Sequence, residues 1–322
     1  MTIQWFPGHM HATRKAITER MKVGIDVVIE LLDARLPGSS ANPLLADLTQ
    51  GRPSLKVLNK QDLADPARTE LWLTHLRAQA STGAIGLDAS ERAPAARLVA
   101  ACQALAPHRG TLDRPLRVLI CGIPNVGKST LINTLVGKKA TKTGDEAGVT
   151  KNEQRINLAP GAYLFDTPGM LWPKIIVPKA GFHLAASGAV GRNAYDEQEV
   201  ALELLETLQV AYADALVARY GLPSTAAEVA VQPAEALLEA IGQRRGAVRA
   251  GARVDLQKAA EVVINDFRAG HTGRLTLETP EEFAHWLAAG RAEEARRLAE
   301  KQALREAGLI GKRSGTRPPS RR

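Results

Sequence analysis

Leu116-Arg117-Val118-Leu119-Ile120-Cys121-Gly122-Ile123-Pro124-Asn125-Val126-Gly127-Lys128-Ser129 joins an apolar run to a polar loop bounded by glycines, with the spacing G-x-x-x-x-G-K-S. Residues 116–121 read as a strand, and a helix is expected to start near Lys128. In that strand–loop–helix context this spacing cradles phosphates. Gly122 and Gly127 allow a tight loop whose backbone N–H groups converge on an anion. The helix N-terminus adds partial positive charge. Lys128 is placed to reach the β- and γ-phosphates and Ser129 to ligate Mg²⁺. The expected phosphate-side residues are Asn125, Val126, Gly127, Lys128, Ser129 and Thr130.

Downstream, Asp166-Thr167-Pro168-Gly169 follows a short apolar run at 162–165. Asp166 is expected to hold Mg²⁺ through a water. The Gly169 N–H is expected to bond the γ-phosphate and to be released on hydrolysis. Upstream, Asn59-Lys60-Gln61-Asp62 ends a second apolar run at 54–59. A carboxylate at Asp62 can accept from guanine N1–H and N2–H₂, whereas adenine offers neither donor there. A site that loses hydrogen bonds in this way discriminates by roughly 10⁴-fold or more. Asn59 would brace the phosphate loop, and the stem of Lys60 would cover the base. Asp88-Ala89-Ser90 fits a further guanine-site element, with the Ala89 N–H on the guanine oxygen; a plain strand-end turn reads equally well.

The guanine motif here precedes the phosphate loop, the reverse of the order in most GTP-binding domains. That order marks a circularly permuted GTPase domain. Strands alternate with helices and deliver the motifs at their carboxyl ends, so the expected class is α/β, a mostly parallel sheet with helices on both faces. Permutation also sends the chain from Gly169 and Met170 directly into whatever follows.

Between the phosphate loop and Asp166, Thr150 is the best switch threonine to ligate Mg²⁺ and sense the γ-phosphate; Thr141 and Thr143 are alternatives. Met170 stands where small GTPases carry a water-orienting Gln, and its thioether cannot hold that water. His9, in the segment Trp5-Phe6-Pro7-Gly8-His9-Met10, is the internal candidate for that role, with a surface or core histidine beside a turn as the alternative. Asn125 offers an oxygen ligand for K⁺ beside the phosphates, or is simply a loop-forming Asn.

The 322 residues suffice for two domains. A GTPase domain is assigned to 1–192. The Ala/Leu/Glu/Arg-rich stretches at 196–220, 233–244, 255–269 and 280–306 make an α-helical RNA-binding domain over 193–310. Residues 311–322 form a basic tail expected to be disordered. A net charge of +8 favours a polyanionic partner, nucleic acid before acidic membrane. Arg244, Arg245, Arg249, Arg253, Lys258, Arg268 and Arg274 are the candidate RNA phosphate contacts. Cys102 and Cys121 form no metal or disulfide pattern and suit a reducing compartment. With neither a signal sequence nor a membrane-spanning apolar run, a cytoplasmic monomer without stable membrane association is expected.

Together, Trp5-Phe6-Pro7-Gly8-His9-Met10, Asp33-Ala34-Arg35-Leu36-Pro37, Asn59-Lys60-Gln61-Asp62, the phosphate loop and Asp166-Thr167-Pro168-Gly169-Met170, in that order, resemble the ribosome biogenesis GTPase A family (the YlqF/RbgA group). Arg244-Arg245-Gly246, Asp266-Phe267-Arg268-Ala269-Gly270 and Gly273-Arg274-Leu275-Thr276-Leu277-Glu278 extend the resemblance to about Glu278. The resemblance implies a GTPase that binds rRNA and the large ribosomal subunit late in its assembly and is stimulated by it. It also implies a water-positioning role for His9 and K⁺ coordination by Asn125. A GTP-regulated RNA-modifying enzyme or a membrane-surface switch is the alternative; the first needs a catalytic Cys or second cofactor motif, the second a lipidation motif.

Overall fold

A computed structural model describes residues 3, 8–49, 51–137, 154–251 and 253–307. Trp5, Thr141, Thr143, Thr150 and the tail 311–322 lie outside the described residues.

The strands are β1 (Val27–Asp33), β2 (Ser54–Asn59), β3 (Thr82–Gly86), β4 (Leu116–Gly122), β5 (Gln154–Ala159) and β6 (Ala162–Asp166). They form one sheet in the order β3-β2-β1-β4-β6-β5, parallel except for β5, which runs antiparallel to β6. Every residue of β1 is buried, as expected for an inner parallel strand covered on both faces. The register levels the carboxyl ends: Asp33 pairs with Asn59, Leu31 with Gly122, and Ile120 with Asp166. All three nucleotide motifs therefore leave the same sheet edge.

The helices are α1 (His9–Val23), α2 (Pro37–Ser40), α3 (Leu44–Leu48), α4 (Pro66–Arg77), α5 (Arg92–Leu105), α6 (Lys128–Val136), α7 (Pro178–Ser187), α8 (Glu197–Ala211), α9 (Ala213–Tyr220), α10 (Ala226–Val231), α11 (Ala234–Arg244), α12 (Leu256–Ala269) and α13 (Pro280–Glu306). Asp65 caps α4 as its sequence indicates, accepting from the N–H groups of Ala67 and Arg68, with Pro66 at the first helical position. The stretch at 196–220 is two helices rather than one. Tyr212 breaks it with φ −140°, and its hydroxyl reaches Asp65 Oδ2 at 3.0 Å.

β5 and α7 are additions to the sequence reading. Ile156 and Leu158 alternate with polar residues, and Pro160-Gly161 makes the turn into β6, so a hairpin signal was present but short. α7 packs against α2, α8 and α12, and one apolar core runs from the sheet through α7 into α8, α11 and α12. The helical region does not stay apart from the sheet. After α12 the chain returns to the loops that follow β1 and β2, where Leu275 N donates to Leu63 O at 3.0 Å and Leu277 N to Arg35 O at 2.7 Å.

Candidate guanine-nucleotide site

The phosphate loop turns between β4 and α6. Gly127 has φ +97°, and the amide of Asn59 fills the space a Cβ would need there. Asn125 also has positive φ, at 56°. Asn59 binds two loops at once: its Nδ2 donates to Val126 O at 2.7 Å, and its Oδ1 accepts from Ala89 N at 2.9 Å. The brace expected of Asn59 is thus present. The Ala89 N–H, expected to face guanine, donates to Asn59 in this structure. Ser90 folds back on Asp88 Oδ1 through its N–H and hydroxyl, at 2.8 and 2.7 Å.

Lys60 has φ 61°, which turns its side chain toward the phosphate loop. Its ammonium donates to Asn125 O at 3.0 Å and to Asp33 Oδ2 at 2.9 Å. Asp33 was not among the expected site residues. Burial works against its charge, but Arg35 and Lys60 outweigh burial and hold its carboxyl well below the usual carboxylate range. Burial lowers the Lys60 pKa against the pull of Asp33. An acidic residue closing an apolar strand was the available signal; its partner lies 27 residues away. Asp62 is exposed on the same loop, at the rim of a pocket shared with Asp88 and Arg274.

On the other flank, Asp166 is fully buried, and neither carboxylate oxygen has a hydrogen-bond partner among the described residues. Its nearest cation is Lys128, with Nζ 4.0 Å from Oδ1. Burial pushes the Asp166 pKa up, and Lys128 offsets only part of that. A buried carboxylate that is only partly compensated still costs free energy, which a bound cation would recover. The orphaned oxygens at the carboxyl edge of β6, near Lys128 and the phosphate loop, fit a divalent cation. Ser129, on the first turn of α6, is the second expected ligand.

Gly169 packs on the phosphate loop: a Cβ there would lie 2.9 Å from Pro124 Cα. Met170 N donates to Gly122 O at 3.1 Å, and the Met170 side chain is buried. A buried thioether cannot orient water, in keeping with its sequence reading. His9 opens α1.

The basic residues differ in how far the protein itself engages them. Arg268 donates to Ala185 O and Ala186 O, Arg274 to Ala64 O and Gln61 O, and Arg249 pairs with Asp255. Arg249 and Arg274 are nonetheless exposed, as are Arg244, Arg245, Arg253 and Lys258, and Arg245 also donates to Arg219 O at 2.7 Å.

A central strand carrying the phosphate loop, with the guanine-type loop reached earlier in the chain and the Asp166–Gly169 turn later, is a G domain cut at a new point. The chain is a circularly permuted P-loop GTPase, and it hydrolyses GTP. The family model described as 50S ribosome-binding GTPase matches residues 117–221. Ribosome biogenesis GTPase A of Bacillus cereus is 41% identical over 88% of this chain and 96% of its own length. Mitochondrial ribosome-associated GTPase 1 of Xenopus tropicalis is 31% identical over 85% of this chain and 94% of its own. The chain belongs to the ribosome biogenesis GTPase A family. Among solved structures, GDP-bound YlqF of Thermotoga maritima matches with a TM-score of 0.59 at 24% identity, covering 83% of this chain and 99% of that one. The GNP-bound form of YlqF matches with a TM-score of 0.58 over 83% and 98% of the two chains.

Proposed function

We propose that this GTPase is a switch that binds the precursor of the large ribosomal subunit and acts late in its assembly. What supports the reading is a guanine-nucleotide site hydrogen-bonded, through Arg35 to Phe267 and Gln61 to Arg274, to a helical region that exposes Arg244, Arg245, Arg253 and Lys258. The relatives' names speak of ribosome biogenesis and ribosome association, and the matching family model of 50S ribosome binding. The GTPase lobe is 1–192 and the RNA-binding helical lobe 193–310. The chain works as a cytoplasmic monomer, and no helix among the described residues is long and apolar enough to cross a membrane.

Ser129, Asp166 and Thr150 would hold Mg²⁺, and the ion would neutralise developing phosphate charge. Lys128 and the backbone N–H groups from Asn125 to Thr130 hold the phosphates, and Gly169 N–H senses the γ-phosphate. Asp62 reads guanine. Asn125 adds a K⁺ ligand, and His9 positions water in place of a Gln. An RNA-modifying reading would need an activated thiol; burial pushes both Cys102 and Cys121 up to about 12, too high for either to act as nucleophile at neutral pH.

A GTPase assay in K⁺ and in Na⁺, with and without purified large subunits, tests this. Turnover is expected to rise severalfold with subunits and further in K⁺. Indifference to subunits would overturn the ribosomal reading, and indifference to the cation would remove Asn125 from ion binding.

A further inference from the structure

Two polar arms leave the nucleotide motifs and meet on one turn of α12. The first begins at Lys60, bonded to Asp33 Oδ2. Arg35 grips the same carboxylate with Nε and Nη2, at 3.0 and 2.8 Å. Its Nη1 donates to the carbonyl of Phe267 at 2.8 Å, and its guanidinium lies over the Phe267 ring, 4.6 Å from the centroid. The second arm begins in the phosphate loop. Asn125 Nδ2 donates to Gly188 O at 2.9 Å. Gly188 is the C-cap of α7, and the nearby carbonyls of Ala185 and Ala186 accept from the Arg268 guanidinium at 2.8 Å each. The arms close into a ring: Lys60 also donates to Asn125 O, and Phe267 and Arg268 are consecutive.

Stability alone is a poor reason for this arrangement. Asp33 and Arg35 are each about 1% exposed, and a buried ion pair is often no better than apolar residues of the same volume. What the ring does supply is position. Arg35 is a rigid fork whose donors bond a carboxylate on one side and the electronegative C-terminal carbonyls of α12 on the other. Through Asp33 it sets where Lys60 lies, and through Phe267 it registers whether α12 is seated.

We propose that Arg35 is a positioning residue of the nucleotide site, and that with Arg268 it makes the C-terminal turn of α12 the element through which the helical lobe senses bound guanine nucleotide. Linkage requires reciprocity: if seating α12 tightens nucleotide binding, nucleotide tightens the seat of α12. The inference rests on the GTP site alone and stands or falls apart from the ribosomal reading.

The test is amide hydrogen exchange of the full chain, with and without saturating GDP, alongside GDP affinity. In the unmodified protein GDP is expected to slow exchange at residues 266–271. Arg35→Gln should weaken GDP binding by about 10-fold or more, the scale of a lost charge-assisted bond. At GDP concentrations that saturate the variant, protection at 266–271 should not return. Arg268→Gln cuts the other arm and should lose the same protection, and Arg35→Lys, which can span one partner at a time, should recover part of it. The two latter variants carry the test if Arg35→Gln does not fold. A merely structural role would lower Tm yet leave GDP-induced protection intact in each variant. That result, or no GDP-induced protection in the unmodified protein, overturns the proposal.

Discussion

At the scale of single residues, Asp33 shows how a buried charge serves a binding site. Its carboxylate accepts from Arg35 and Lys60 with about 1% of its surface exposed. Asp33→Asn leaves two cations facing a neutral amide, a change of about 3–5 kcal/mol for a broken buried pair. Because the folded pKa lies below the ordinary 3.8, this contribution is complete above pH 3.8 and is lost as pH falls further, toward the folded value. Denaturation midpoints should therefore separate the unmodified protein from Asp33→Asn at pH 5, by a margin that narrows below pH 3.8. A margin that failed to narrow below pH 3.8 would contradict the assignment. Asp62 is a different case, since its role is recognition. Asp62→Asn should reduce the preference for GTP over ATP by about 10²-fold or more while leaving thermal stability nearly unchanged; competition binding with both nucleotides measures it, and retained discrimination would reject the guanine contact.

At the scale of elements, the informative piece is the segment between α12 and α13. Glu278 is fully buried; it accepts from Ser39 N and Ser39 Oγ at 2.6 and 2.5 Å and lies 3.0 Å from His183 Nδ1. The Glu278 carbonyl accepts from Trp72 Nε1 at 2.9 Å. Thr276 Oγ1 donates to Ala34 O, and Tyr212 OH donates to Thr276 O, both at 3.1 Å. One short strap thus ties α2, α4, α7 and the end of β1 to the helical lobe. Glu278→Ala would strand the Ser39 donors and remove the carboxylate beside His183, and should destabilise by about 3–5 kcal/mol. Urea unfolding followed by tryptophan fluorescence would read the loss, and a change under 1 kcal/mol would mean that the strap is dispensable. None of these partners was legible beforehand. A glutamate before a Thr-Pro helix start reads as solvated, and its partners are 239 and 95 residues away.

At the scale of the whole molecule, the excess positive charge has a place to act. Arg244, Arg245, Arg253 and Lys258 are exposed on the helical lobe; Arg274 is exposed too, but its guanidinium, like that of Arg268, is held by protein carbonyls. Charge reversal at Arg244 and Arg253 should weaken RNA binding across sequences and flatten the dependence of log K on log salt by about one unit per lost phosphate contact. Arg274→Gln should leave that slope unchanged. Titration of RNA binding at several salt concentrations distinguishes the two, and equal slopes in all variants would move the RNA surface elsewhere.

The nucleotide motifs, their inverted order and the parallel sheet were legible in the sequence, because each is a local pattern. A glycine spacing, an apolar run and a helix cap involve neighbours within a few residues, and short-range sterics and hydrogen bonding determine them. The capped start of α4 and the loops carrying Asn59 and Lys128 are of this kind. What nucleotide state is coupled to was decided only by tertiary structure. The motif order suggests an exit through Gly169 and Met170, which is covalent. Polar connections run as well through Arg35 to Phe267, 232 residues on, and from Asn125 to Gly188. Such partners come together only when the apolar core seats α7 and α12 against the sheet. A buried guanidinium must then find acceptors wherever that packing has left them, and no periodicity in the chain records where that is.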